Sequence, residues 1–345
     1  MDTLNGIHQL EQLPAMLLDC RADALHAAFP QPTLIHLTGR QPEPLFVSMM
    51  LHGNEPTGLL AVQRVLRRYK DTTLPRSLSL FLGNTQAAEQ GLRRLEGQPD
   101  FNRVWPGTET PDVAEARLMQ NIVTTLQSRQ VFASIDIHNN TGMNPHYACV
   151  NTLASEHLQL ASLFGRTVIY FIRPTGTQSA AMGKICPAVT IECGKPAEPH
   201  GVEHAADFIE ACLHLSHFPE TPVAEHDINL FHTVAQVKVP DTLSFSFSSK
   251  NVDLEFIPGL ERLNFQEVPE GTVLAYCHQG NQPQLEVTNE AGEAVANTYF
   301  QCDHNTLKLK RSVMPSMLTQ DEPVIRQDCL CYLMERLPFH PGEAQ

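Results

Sequence analysis

The sequence has no run approaching the ~18 apolar residues that a membrane-spanning helix needs, so a bilayer is not expected as its solvent. Its start, MDTLNGIHQLEQLP, lacks a basic stretch followed by an apolar one, and no secretory signal is expected there. Paired CxxC spacing is also missing. The nine cysteines (Cys20, Cys149, Cys186, Cys193, Cys212, Cys277, Cys302, Cys329 and Cys331) are odd in number and irregularly spaced. That argues against a disulfide framework or a structural zinc ribbon, and for free thiols in a reducing cytoplasm. Positive charge is scarce: 24 Lys and Arg stand against 38 Asp and Glu, for a net charge of −14. So acidic a surface repels nucleic acid and anionic membranes. It leaves room for a small anionic substrate, since a few Arg side chains can dominate a pocket. Neither an internal repeat nor a low-complexity tract is present.

What is there reads as an ordinary globular chain, long enough at 345 residues for two domains and a full core. Residues 44–51 (PLFVSMML) form a short apolar run, read as a buried strand that ends at His52. Pro56 follows where a first helical turn tolerates it, and 57–69 carries Leu59, Leu60, Val62, Val65 and Leu66 on one helical face. Strands are expected at 78–82, 131–137, 167–172 and 188–192, and helices at 111–127, 156–164 and 202–215. This alternation implies an α/β fold, a mixed sheet flanked by helices, with ligands beyond the carboxyl ends of its strands. The stretch FPETPVAEH at 218–226 reads as a linker. Past it, short apolar stretches at 234–239, 243–247 and 273–276 alternate with turn formers. The expected division is a catalytic domain over 1–220 and a smaller, mostly β domain over 227–345.

Four short motifs carry chemistry. His52-Gly53-Asn54-Glu55 is an H-x-x-E, whose spacing lets an imidazole and a carboxylate reach one ion; a plain surface turn is the alternative. In Asp136-Ile137-His138, His138 would complete the three protein ligands of a catalytic zinc, and Asp136 could orient an imidazole or merely cap a strand. Asp100-Phe101-Asn102-Arg103, preceded by Arg93-Arg94, offers a carboxylate clamp, since the guanidinium fork binds two oxygens; it could equally be a solvated basic turn. Glu192, at the end of the Ala188–Glu192 strand, is either a general base beside a metal or an ion-pair partner of Lys195. Taken together the four supply three ligands, a base and an anion clamp, the roles that metal-assisted hydrolysis requires. His200, His204, His214 and His217 follow helical spacing and are read as structural or surface residues.

The order HGNE, DFNR, DIHN, TIECGK resembles the succinylglutamate desuccinylase/aspartoacylase family within the zinc carboxypeptidase superfamily. GNTQAAEQGLRRL and AVTIECGKPAEPHG extend the likeness over most of residues 44–205. The resemblance implies one Zn²⁺ per chain on His52, Glu55 and His138. It implies Glu192 as the residue that activates water and reprotonates the leaving amine, and Asn102 and Arg103 as the holders of a substrate carboxylate. It gives Arg93, counted from Gly91, the task of polarising the scissile carbonyl. Counted back from Asn102, about two extra residues in EGQPD make Arg94 the rival. Where aspartoacylases carry a further arginine before the catalytic Glu, this chain has Met182, and Arg173 lies further upstream. The implied activity is hydrolysis of a small N-acyl amino acid, and the β-rich tail is implied to narrow the entrance against long chains. A metallocarboxypeptidase of short peptides and a non-catalytic zinc-binding homologue are the alternatives. A homo-oligomer is left open.

Overall fold

The computed structural model describes residues 3–4, 7–278 and 283–338, which fall into two compact units. One comprises the described residues up to Asn139 together with His146–Leu230; the other comprises Asn140–Pro145 and Phe231–Leu337.

The first unit is built on a mixed sheet. The strand Gly39–Met49 lies parallel to both Leu74–Leu82 and Ala133–His138, and the latter lies parallel to Ala188–Glu192. Tyr147–Val150 runs antiparallel to Ala188–Glu192 and parallel to Thr167–Tyr170. On the far side, Thr33–Leu37 runs antiparallel to Leu74–Leu82. The mixed α/β architecture expected from the alternation is therefore the one observed.

Side-chain alternation along these strands explains the layers. Phe46, Phe81 and Leu34 share one core with Met119, Ile122 and Leu126 of the helix Ala114–Ser128. On the opposite face, Gly58 of the helix Thr57–Arg68 sits so close that an added Cβ would be 2.9 Å from the Met49 Cβ and 3.1 Å from the Ile137 Cβ. The helix Pro199–His214 packs beside it, tied by Arg64–Glu203 and Arg68–Asp207 pairs. It begins three residues before the expected Val202, because Pro199 occupies the first turn, where a missing N–H costs nothing. The central strand likewise starts at Gly39 rather than at residue 44. A register shift between Gln41 and Leu45 absorbs Pro42 and Pro44, which cannot donate to a regular ladder.

The second unit is mostly β. A five-stranded sheet orders Phe245–Ser246, Leu254–Phe256, Val273–Cys277, Thr306–Leu309 and Phe300–Asp303. Separately, Cys331–Arg336 pairs antiparallel with Asn229–Lys238 and with Met314–Ser316. Leu254, Phe256, Leu260, Leu307 and Leu333 are central to its apolar core. The segment 140–145 packs here: the Asn144 side chain accepts from the Met317 N–H at 3.0 Å, and Thr141 donates to Thr319 at 2.8 Å.

Candidate metal centre and active site

The central strand ends in a bend that aims His52. Met50 has φ +58°, a left-handed conformation rare for a bulky residue. Its carbonyl is held by the Asn84 N–H at 2.6 Å, and the Met49 carbonyl by the Gly83 N–H at 3.1 Å. Gly53 follows because nothing larger fits. A Cβ there would lie 2.2 Å from the Ala88 nitrogen, and the Gly53 N–H donates to the Arg93 carbonyl at 3.1 Å. The H-x-x-E turn is thus clamped against the segment that carries Arg93.

In the parallel ladder Ser48 pairs with Asp136, Asp136 with Thr190, and His138 with Glu192. Residues paired in register point to the same face. Ser48, Asp136, His138, Thr190 and Glu192 therefore line one face of the sheet at its carboxyl end. Glu192, at 8% exposure, is buried there.

Among the described residues, one group of three metal-ligating side chains converges: His52, Glu55 and His138, with one donor atom from each lying within 4.8 Å of the others. The hydrogen-bond chemistry says which atoms those are. His52 Nε2 is 3.0 Å from Asp100 Oδ1, and His138 Nε2 is 2.7 Å from Asp136 Oδ2. An ionised carboxylate only accepts, so without a metal each ring nitrogen that faces one carries a proton. The two Nδ1 atoms face Glu55 from opposite sides, at 2.8 Å from Oε1 (His52) and 2.7 Å from Oε2 (His138), where a shared cation would replace their protons. Two imidazole nitrogens and a carboxylate, with the outer nitrogens bound to carboxylates, form the donor set that divalent zinc prefers.

The electrostatics point the same way. Burial would push Glu55 up, but the two imidazoles facing it outweigh that and hold its carboxyl far below the ordinary range. Burial opposes a charge on His138, yet Asp136 and Glu55 raise it well above the usual imidazole value. For His52, burial and Arg93 are outweighed by Glu55 and Asp100, and it too is raised. The site is thus built to hold positive charge between the imidazoles and Glu55, the charge that a divalent cation supplies in place of protons.

The remaining expected residues fall as follows. Arg93 is buried, and its Nε and Nη2 donate to Asp100 Oδ2 at 3.2 and 2.9 Å, with Nη1 3.8 Å from Glu55 Oε1. Arg94 instead turns to the Gln98 carbonyl at 2.8 Å. Geometry therefore brings Arg93, not Arg94, to the cluster. Asn102 is drawn into the network itself. Its Nδ2 donates to Asp136 Oδ2 at 3.2 Å and lies 3.0 Å from His138 Nε2, and its Oδ1 accepts the Gln178 N–H at 2.8 Å. Arg103 lies next to it, with Nη1 on the Asn102 carbonyl at 2.8 Å. Arg173 is at the surface, 3.1 Å from Glu109. His204 joins His146 (Nδ1 to Nδ1, 2.8 Å) and the Phe164 carbonyl, away from the cluster.

Sequence reasoning gave no role to Asp100, Ser48 or Asn139. Ser48 donates to Asp136 Oδ1 at 2.5 Å; a single hydroxyl inside PLFVSMML was its signal, since a buried polar group needs a partner. Asn139 donates its N–H to Glu55 at 3.1 Å and accepts the Thr57 N–H at 3.3 Å, joining the strand end to the helix start.

Residues 43–218, just over half of the chain, match the family model of the succinylglutamate desuccinylase/aspartoacylase catalytic domain. Similar solved structures include a succinylglutamate desuccinylase from Chromobacterium violaceum (16% identity, TM-score 0.54, 86% of each chain). A succinylglutamate desuccinylase/aspartoacylase from Rhodobacter sphaeroides is similar at 15% identity and TM-score 0.56, over 88% of each chain. Murine aminoacylase 3 is similar at 15% identity and TM-score 0.55, over 87% of this chain and 97% of that one. No curated protein matches the sequence. At such identities the structural likeness speaks to the fold.

Proposed function

Since this chain belongs to the succinylglutamate desuccinylase/aspartoacylase family, we propose that it is a zinc-dependent deacylase cleaving the amide bond of a small N-acyl amino acid. The observation that carries the reading is the convergence of the His52 and His138 Nδ1 atoms on Glu55, with each Nε2 fixed by its own carboxylate.

His52, Glu55 and His138 would hold the zinc, whose contribution is Lewis acidity toward a carbonyl and toward water. Glu192, in register with His138, removes the proton of the attacking water and returns it to the leaving amine. Arg93 is presented by Asp100 toward the developing oxyanion, a kind of stabilisation that costs about 3–4 kcal/mol when one donor is lost. Arg103, with the Asn102 N–H not used by Asp136, holds the substrate carboxylate and so sets its register. Asp100 and Asp136 touch no substrate in this scheme; they fix the tautomer of each imidazole. All nine thiols are free, which fits a reducing cytoplasm. Among the described residues no helix is long and apolar enough to cross a membrane.

The test is a panel of N-acetyl and N-succinyl amino acids beside dipeptides, with metal content measured on the same preparation. Glu192→Gln is expected to retain zinc while turnover falls roughly 10²–10⁴-fold. Wild-type turnover by that variant would remove Glu192 from the mechanism. Cleavage of dipeptides alone would replace the deacylase with the carboxypeptidase reading.

A further inference from the structure

All nine cysteines are free thiols, and two of them nearly touch. Cys302 Sγ lies 2.9 Å from Cys277 Sγ, 25 residues away in sequence. Both belong to the second unit.

The five-stranded sheet makes the contact. Phe300–Asp303 and Val273–Cys277 flank Thr306–Leu309 on its two sides. Leu307 pairs with Cys302 on one side and with Ala275 on the other. Residues in register share a face, and Cys277 follows Ala275 by two, so Cys302, Leu307, Ala275 and Cys277 all point to one side. That side is the apolar core, where Leu307, Ala275 and Cys277 are buried and Cys302 packs against them. In a flat sheet the two outer strands would be about 9–10 Å apart. The approach of the sulfurs therefore means that the sheet curls here toward its core face. The curl lies beside a tight turn. His304 and Asn305 have φ of +48° and +60°, the left-handed pair of a type I′ hairpin, and the Asn305 carbonyl accepts the Cys277 N–H at 2.8 Å.

The two thiols differ in access. Cys277 is buried, and burial, with the Cys302 sulfur against it, pushes its pKa up to about 12. Cys302 is only partly buried. A small reagent therefore meets Cys302 first, with Cys277 directly behind it. A disulfide bond is ~2.05 Å long, so joining the sulfurs asks for less than about 1 Å of closure.

We propose that Cys277 and Cys302 form a reversible disulfide by exchange with a small disulfide of the glutathione class, stapling the hairpin to the strand across from it. The Cys302 thiolate attacks one sulfur of the small disulfide; that S–S bond breaks, one small thiolate leaves, and Cys302 carries the other half as a mixed disulfide. Cys277 then gives up its proton and attacks the Cys302 sulfur, expelling the second small thiolate. The protein loses two electrons and two protons, which the small disulfide gains as it becomes two thiols. Contact between the sulfurs makes the second step intramolecular, which offsets the weak acidity of Cys277. The closed ring constrains the unfolded chain more than the folded one.

Incubating the full-length, metal-loaded protein with oxidised glutathione tests it. A non-reducing digest should link the Cys277 and Cys302 peptides, with two hydrogens lost from their summed mass, and dithiothreitol should release them. Cys277→Ser should stop at the first step and carry one glutathionyl group on Cys302. Cys302→Ser should leave Cys277 unlinked. The oxidised parent should melt several degrees above the reduced one, a gain that Cys302→Ser lacks. Both thiols still free at millimolar oxidised glutathione would overturn the proposal. So would a lasting mixed disulfide on Cys302 of the parent, or a bridge from Cys277 to any other cysteine. Equal melting of the two parent forms would remove the staple. The digest of the parent decides without any variant, and because no turnover is read, the outcome is separate from that of the deacylase test.

Discussion

The two ends of the Gly39–Met49 strand treat buried polar groups in opposite ways. At the carboxyl end Arg93, Asn102, Asp136, His138, His52 and Glu55 are buried and bonded to one another, with Asp136 alone accepting from Ser48, Asn102 and His138. At the amino end His36 is as buried but keeps one nitrogen unpaired beside a cavity. A satisfied network in low dielectric is rigid and strong, and a half-satisfied one is costly. The first end is therefore organised in advance for chemistry, and the second carries a buried polar group that the fold leaves unsatisfied.

The strongest way to break the contrast is to remove a charge from the satisfied end. Arg93→Ala leaves the Asp100 carboxylate without its bidentate donor, and burial then works against an ionised group that Arg93 had held far below its usual pKa. Breaking a buried pair costs about 3–5 kcal/mol, so denaturant unfolding should register a loss of that order. If Arg93 also stabilises the oxyanion, kcat/KM falls a further 10²–10³-fold. Arg94→Ala is the control, expected to cost under ~1 kcal/mol and little activity, since it holds only the Gln98 carbonyl at a turn. Equal effects of the two would dissolve the distinction.

A gentler perturbation is Asp136→Asn, nearly isosteric and uncharged. The amide must present a donor where one carboxylate oxygen accepted from Ser48 or from both His138 and Asn102. Either the His138 tautomer flips or a bond is lost. Losing such an outer partner typically weakens metal affinity 10–100-fold, measurable by chelator competition. Unchanged affinity would mean that His138 does not ligate through the nitrogen its partner leaves facing Glu55.

The contrast also explains what could be read from the sequence. The ends of the ladder were legible because chemistry and punctuation coincide: Ala188–Glu192 is the strand expected, and His138 closes its own. Apolar periodicity placed the helix at 57–69, observed as Thr57–Arg68. What escaped are features created by partners distant in sequence. Arg76 would pass for a surface residue in LPRSL, yet it is 1% exposed, donates to the Glu43 and Leu215 carbonyls, and lies 3.6 Å over the Phe132 ring. Thr33–Leu37 went unread because it is short and interrupted by Thr33 and His36, although it is an inner strand between Ile7–Leu10 and Leu74–Leu82. Asp100 carried a motif position but no role, since its two partners, His52 and Arg93, belong to other segments. The cavity around His36 is wholly tertiary, assembled from Glu11, residues 36–44 at the junction of two strands, residues 77–79 and Arg129.

The smallest expected effect sharpens the contrast from the open end. His36 has a folded pKa of about 4, below the 6.5 of an unconstrained imidazole. Between those values the unfolded chain binds a proton that the folded one refuses, so stability falls as pH drops from about 6.5 and levels off below about 4. The full shift corresponds to roughly 3 kcal/mol; proximity to a solvent-sized cavity reduces the part expressed to roughly 2 kcal/mol. His36→Gln keeps a polar group against Ser79 and cannot titrate. The loss of unfolding free energy between pH 7.5 and pH 4.5 should be smaller in this variant than in the parent by that amount. Comparing the two chains cancels the titration of every other histidine, including those at the metal end. If the pH dependence of the two coincides, His36 is solvated in the folded state, and the unpaired nitrogen that distinguishes this end of the strand is satisfied by water.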